Sequence, residues 1–327
     1  MRALQPRKGG DKSSPPADPR AGDSRQVVPT DVAMRRFAAF AVDGRIHDVT
    51  EEPRDPAQLA LLRRSATVLE QLELQPKYLP RRPSLLPKLM SAIGSDENSM
   101  RDLATIIGED GALLGGLLRL ANSSFYRVTD KPIESLERAV MMVGTAGIRS
   151  LVTTALMHPV LTASRGPFAT FPETIWEHTQ FAAAAAELHG AQIEHVDVFS
   201  ARLVTLLHGL ATNTVFRIVR DECVATNIEV KPDALAWLLE DWVGPTAARI
   251  AVSWQLPIEH RTALASRPIE NALARSLLFG RLAGAQIVLV KRGKIKEDAA
   301  RATLLAHEHR RVQIDRLWSK LAVAHLR

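Results

Sequence analysis

The chain has 327 residues, 46% of them apolar and 24% charged, with a net charge of +6. That is enough apolar material for a sizeable core, and a mildly basic balance that permits an acidic partner without requiring one. Aromatics are scarce at 5% while Ala and Leu abound, which favours helix over sheet, and one cysteine, Cys223, excludes an internal disulfide and a thiolate-rich zinc site.

The first 30 residues are rich in Pro, Gly, Ser and charge, and their composition predicts a disordered tail. No signal-peptide core is present there, and no segment reads as the run of about 20 apolar residues that spans a bilayer. The expectation is a cytoplasmic protein with no membrane partner. Residues 31–76 read as an N-terminal helical extension. Met34 to Val42 is expected as a short helix closed by Gly44, in preference to a hairpin arm turning at Asp43-Gly44. Asp55-Pro56 places a cap residue before proline in the first helical position. The helix it opens should run to Leu74 and bury Leu59, Leu62, Ala66, Leu69 and Leu72. A boundary falls at Gln75 to Pro80, so the main domain spans 77–290, with halves at 77–160 and 161–290.

The first half is dense in short helices. Ser84 to Ile93 is one, and Ser99, with Asp102 at the capping-box position, opens the next, closed by Gly108. Asp110 caps a third, Gly111 to Ala121, interrupted by Gly115-Gly116. Each of those glycines costs about 1 kcal/mol against alanine, so a closely packed neighbouring backbone is expected beside them. Ser135 caps a helix ending at Gly144, and Thr145 another reaching about Met157 before Pro159. The second half is also helical but longer in its elements. Glu173 to Leu188 is closed by His189-Gly190, and Asp197 caps a helix that reaches Leu210. Pro232-Asp233 opens one ending at Gly244-Pro245, Thr246 one ending at Leu256-Pro257, and Pro268 to Val290 is long and apolar. Residues 291–327 hold two basic amphipathic helices. The fold class is all-α, multi-helical.

Two histidines stand out. His208 sits among leucines in Leu206-Leu207-His208-Gly209-Leu210, and His178 lies one helix upstream. If those helices form an antiparallel hairpin, both histidines sit roughly 17 Å from the turn and face each other at one level.

Leu117-Leu118-Arg119-Leu120-Ala121-Asn122-Ser123-Ser124-Phe125-Tyr126 resembles the signature of the HDOD domain, the HD-related output domain of bacterial signalling proteins. The flanks agree: Leu79-Pro80 and Pro83 upstream, Ser135-Leu136, Ala139-Val140, Gly144 and Ile148 to Val152 downstream. Trp176-Glu177-His178, Leu206-Leu207-His208 and Trp254-Gln255-Leu256-Pro257 continue it. The glycine usual after the Phe-Tyr pair is Arg127 here. The resemblance implies an HD-like bundle, usually without the catalysis of HD phosphohydrolases, and a regulatory role in pathways that involve cyclic dinucleotides, two-component signalling or motility.

A hydrolytic metal site needs further His or carboxylate ligands and an open position for water. The resemblance places a metal-binding aspartate directly after the second histidine, where this chain has Gly209. Its third histidine position falls at Trp242-Val243, its later histidines at Thr262 to Ser266, and its final aspartate within Leu278 to Arg281, which holds no acid. Glu240 and Asp241 are the nearest substitutes. His178, His208 and Gly209 therefore read as vestigial metal positions, with His208 a buried polar anchor, and neither metal nor other cofactor is expected. Asn122, Phe125, Tyr126 and Arg127 are the candidate interaction residues, Asn122 suited to a helix-ending turn and Tyr126 beside Arg127 to a partner. Cys223 lies between Glu222 and Val224 with no cation to activate it.

The expected function is a non-catalytic signalling regulator acting through a protein partner or a small, cyclic nucleotide, bound in the cleft between the two halves. Two alternatives stand beside it: a metal-dependent phosphohydrolase with a rearranged site around His178, His208 and Asp241, and a regulator that binds nucleic acid through the basic C-terminal helices. Aromatic residues hardly interleave with the cations of those helices, which counts against nucleic acid.

Overall fold

The computed structural model describes residues 30–93, 107, 111–123, 132–135, 138–139, 147–148, 150–155, 170–265, 271–306 and 310–326. Among them there is no strand. The helices are α1 (Thr30–Asp43), α2 (Pro56–Glu70), a 3-10 turn at Leu72–Leu74, α3 (Leu86–Ile93) and α4 (Gly111–Ala121). After these come α5 (Thr170–His189), α6 (Val198–Thr226), α7 (Pro232–Ser253), α8 (Ile258–Ala265), α9 (Ala272–Lys291), α10 (Glu297–Ala306) and α11 (Arg311–His325). Residues 151–155 are helical as well. Ser135 caps a helix as expected, its Oγ accepting from Arg138 N at 3.3 Å with 138–139 helical. The rest of that helix, most of the one expected from Ser99, the end of the one from Thr145 and the N-terminal tail lie outside the described residues.

Local chemistry sets the helix ends. Asp55 accepts a hydrogen bond from the Ala57 amide at 2.9 Å with Pro56 in the first turn. Asp197 accepts from Ser200 N at 2.7 Å, and Asn271 from Ala274 N at 3.0 Å. Gly44 follows α1 at φ +74°, a conformation only glycine adopts freely, and its amide closes on Phe40 O.

The centre of the molecule is α5, α6 and α9. Ala182, Ala183, Ala185 and Ala186 are fully buried along α5. Small side chains there let α9 approach closely. A Cβ at Gly280 would fall 2.5 Å from Ala182 O, and one at Gly284 2.7 Å from Ala182 N, so no larger residue fits at either position. Helix α9 is also long and apolar enough to cross a membrane by length and composition, contrary to the sequence expectation. In the fold it is a core helix, buried from Leu273 to Leu289 except on narrow faces. One apolar cluster runs from Ala33 in α1 to Ala322 in α11, so the N-terminal extension and the C-terminal helices share the core of the main domain.

Four expectations need correction. Helix α6 does not stop at Leu210 but continues to Thr226. Its β-branched and polar second half is reconciled with helix by burial of Val215, Phe216, Ile218 and Val219 and by hydroxyls of Thr212 and Thr214 donating to carbonyls four residues back. Gly244-Pro245 does not end a helix either. Helix α7 passes through Pro245, because Val243, Thr246 and Ala247 are buried on both sides and the packing offsets the lost hydrogen bond. On α2, which ends at Glu70 rather than Leu74, Leu69 is buried as expected and so is Leu72 just beyond it, but Gln58, Leu61 and Ser65 take the inner positions expected of Leu59, Leu62 and Ala66. Gln58 is drawn inward because it donates to Glu229 O and accepts from Lys231 N, clasping the α6–α7 connection. Finally, Cβ atoms at Gly115 and Gly116 would meet nothing nearer than 3.5 Å among the described residues, so the close approach expected there is found instead at Gly209, Gly280 and Gly284.

Candidate functional site

The turn between α5 and α6 is a π-helical segment, Gly190–Glu194, followed by His195 in the left-handed region at φ 54°. It folds the two helices back on each other, and the expected hairpin brings His178 and His208 to the wall of one cavity of about 280 Å³. Both are buried, at 7% and 8% exposure. Ile175 lies beside His178, and Thr212 one turn beyond His208.

Other elements complete the enclosure. From α7 come Ala236, Leu239, Glu240 and Val243, and from α9 come Leu278 and Arg281. The roof is α1, which contributes Thr30, Asp31, Met34, Arg35, Phe37 and Ala38. The Phe37 ring lies 4.5 Å from the His178 ring, centroid to centroid. Arg35 is anchored three ways: to Glu240 at 2.7 Å, to Asp31 at 3.4 Å, and over the Trp237 ring at 3.8 Å. The cavity thus lies beneath α1, away from the cleft between halves that the sequence suggested. Glu240 reaches it, while Asp241 is exposed and does not line it.

The donor chemistry does not suit a divalent cation. His178 Nε2–H donates to the Arg281 carbonyl at 2.9 Å, and since that oxygen can only accept, Nε2 carries the proton and Nδ1 is the ring's acceptor. Gly209 offers no side chain, and position 209 has no room for one: a Cβ there would fall 2.3 Å from Thr179 Oγ1 and 2.7 Å from its Cγ2. Where the resemblance places a metal-binding aspartate, α6 is packed against α5. Near the other aspartate position stands Arg281, a cation. Burial pulls its pKa down to about 10, so it is charged at neutral pH. Burial also lowers the pKa of His178 to about 4 and that of His208 well below its ordinary value, with the Arg281 charge acting in the same direction on both. The guanidinium repels a dication, and two imidazoles are by themselves an incomplete ligand set. No group of three or more His, Cys, Asp or Glu side chains converges among the described residues.

The remaining candidates are distributed differently. Asn122 is a structural tie: its Nδ2 donates to Leu118 O and Ile133 O, and its Oδ1 accepts from Ile133 N. Phe125, Tyr126 and Arg127 lie outside the described residues. Trp254 is buried at 1% exposure and donates to Pro80 O, while Arg82 donates back to Trp254 O, so two stretches quoted for the resemblance clasp each other. Cys223 is half-buried, and burial pushes its thiol pKa up, as its surroundings in the sequence suggested. Several basic residues of the C-terminal region fold back onto the chain: Arg292 to Glu177, Arg310 to Ile193 O, Lys320 to Gln192 and Arg301 to Asp315. Sequence reasoning missed Arg35, Arg281 and the buried Arg202–Glu187 pair, because an arginine on an amphipathic helix carries no sign of which face will be inside.

A family described as the HDOD domain matches residues 79–267. An uncharacterized protein of Treponema pallidum (strain Nichols) is 26% identical over 187 residues, covering 55% of this chain and 35% of that protein, so the chain spans about a third of that relative's length. Among solved structures, an HDOD domain protein of unknown function from Geobacter sulfurreducens superposes with a TM-score of 0.54 at 18% identity, over 81% of this chain and 93% of its own. A protein of Shewanella amazonensis SB2B, described as a "Putative metal-dependent phosphohydrolase", gives 0.51 at 18% identity, over 81% of this chain and 100% of its own. At that identity the likeness shows the fold alone. Helices α1 and α9, which supply Arg35, Phe37 and Arg281 to the cavity, lie outside the matched residues.

Proposed function

This chain belongs to the HDOD domain family, and we propose that it is a non-catalytic signal-transduction module whose histidine cavity no longer serves phosphohydrolysis. The observation that carries this reading is the packing at Gly209. A lost aspartate in an open site is one substitution from restoration, whereas here the space itself is filled by Thr179. The Arg281 charge beside both imidazoles argues in the same direction. Such a module acts by binding, with a protein of its signalling pathway as the expected partner.

Two measurements test this. Purified protein analysed for bound metal should carry far less than one equivalent of any transition metal, and incubation with Mn²⁺ and phosphomonoester or cyclic-dinucleotide substrates should release no product above background. Stoichiometric metal together with turnover lost in His208→Ala would defeat the reading.

A further inference from the structure

Arg281 is the feature that this function leaves unexplained. It lines the cavity, yet among the described residues no carboxylate pairs with its guanidinium, and its Nε is buried without a hydrogen-bond partner. The two acids of the cavity, Asp31 and Glu240, are both engaged by Arg35. Glu240 eases this charge only from beyond ion-pair distance, since it is bonded to Arg35, and a buried cation without a hydrogen-bonded anion is costly. His208 beside it is buried at 8% exposure, and its ring has no hydrogen-bond partner among the described residues. The lining also has apolar members, among them Met34, Phe37, Leu239 and Leu278.

We propose that the cavity roofed by α1 binds a small organic carboxylate, its anionic head on the Arg281 guanidinium and its apolar body against the apolar lining. Two cations, Arg35 and Arg281, and two carboxylates, Asp31 and Glu240, already line the cavity, so a monoanion adds less excess charge than a dianion would. A carboxylate fits the fork of a guanidinium that has no hydrogen-bonded anion of its own among the described residues. The neutral His208 imidazole supplies an N–H donor to the same head, and the protonated Nε2 of His178 stays on its carbonyl. The site is assembled from the family core together with α1 and α9, so ligand binding would clamp α1 onto the rest of the chain. The inference rests on reading the site as non-catalytic, and it names the signal that such a module would sense.

Isothermal titration of the full chain at pH 7 with octanoate, octanamide and octyl phosphate tests it. Octanoate should bind saturably at one equivalent, with octanamide at least about tenfold weaker, the discrimination expected for a charge-assisted hydrogen-bonded head. Arg281→Met should lose that preference for the anion. Val243→Phe, which narrows the cavity without touching a charge, should abolish binding of both compounds, and circular dichroism verifies that each variant is folded. Absence of saturable octanoate binding, undiminished binding by both variants, or preference for octyl phosphate over octanoate would each overturn the proposal. Assaying the octyl phosphate mixtures with Mn²⁺ for phosphate release separates the two readings. Turnover defeats the non-catalytic reading, whereas missing octanoate binding without turnover defeats only the carboxylate.

Discussion

Gly209 and Thr179 meet as side-chain-free backbone against hydroxyl and methyl, and the contact leaves no volume for even one added carbon. Gly209→Ala should therefore destabilise the protein by roughly 1–3 kcal/mol through overpacking, despite the higher helix propensity of alanine. Adding Thr179→Ala removes the two nearest atoms and should recover most of the loss. Urea midpoints of the single and double variants read this directly, and an unchanged midpoint for Gly209→Ala would contradict the packing. At the same level, His178 couples stability to pH. Its folded pKa is depressed from 6.5 to about 4, so between those values the unfolded chain binds the extra proton. Stability from this residue is complete above pH 6.5 and declines as the pH falls toward 4, by up to about 3 kcal/mol. Burial of His208 acts with the same sign. Melting temperatures measured across that window should fall, and His178→Gln should flatten the slope.

Between elements, one buried ion pair ties α5 to α6 and anchors a segment of the first half. Arg202 of α6, exposed at only 2%, holds both carboxylate oxygens of Glu187 on α5, at 2.5 and 2.6 Å. Ser150 donates to the same carboxylate and Arg202 also donates to Thr154, so the segment at 150–155 is fastened to the α5–α6 hairpin. Arg202→Met should cost about 3 kcal/mol, because Glu187 is left charged and partly buried without its partner. The double variant Arg202→Met/Glu187→Leu should be distinctly more stable than Arg202→Met alone, since no orphaned charge remains. A double variant as unstable as the single would show that the hydrogen bonds to Ser150 and Thr154, rather than the ion pair, govern the joint.

For the whole molecule, the continuity of the apolar core from α1 to α11 predicts cooperative unfolding. Near-ultraviolet signals from the buried Trp254 and Trp318 should be lost in the same transition as the far-ultraviolet helical signal. Helix α1 belongs to that unit: Ala33, Phe37, Phe40, Ala41 and Val42 are all buried. Deleting residues 1–54 should lower the melting temperature and expose apolar surface that binds a hydrophobic dye, because the α5, α7 and α9 faces beneath α1 lose their cover. Wild-type stability and dye response in that truncation would mean that the roof over the cavity contributes nothing to the fold.

The sequence by itself determined the helical class, the capped starts at Asp55 and Asp197, and the α5–α6 hairpin that brings two histidines to one cavity. Those are local matters of period, cap chemistry and chain length, and local physics suffices for them. The expected stops at Leu210 and Gly244-Pro245 did not hold, because tertiary burial overrode weak propensities. The character of the site was decided at long range. That position 209 has no room depends on Thr179 across the hairpin, that His178 is locked depends on a carbonyl 103 residues away, and that a cation faces both imidazoles depends on Gly280 and Gly284 letting α9 in. No window of sequence contains those distances; only the packed chain brings them together.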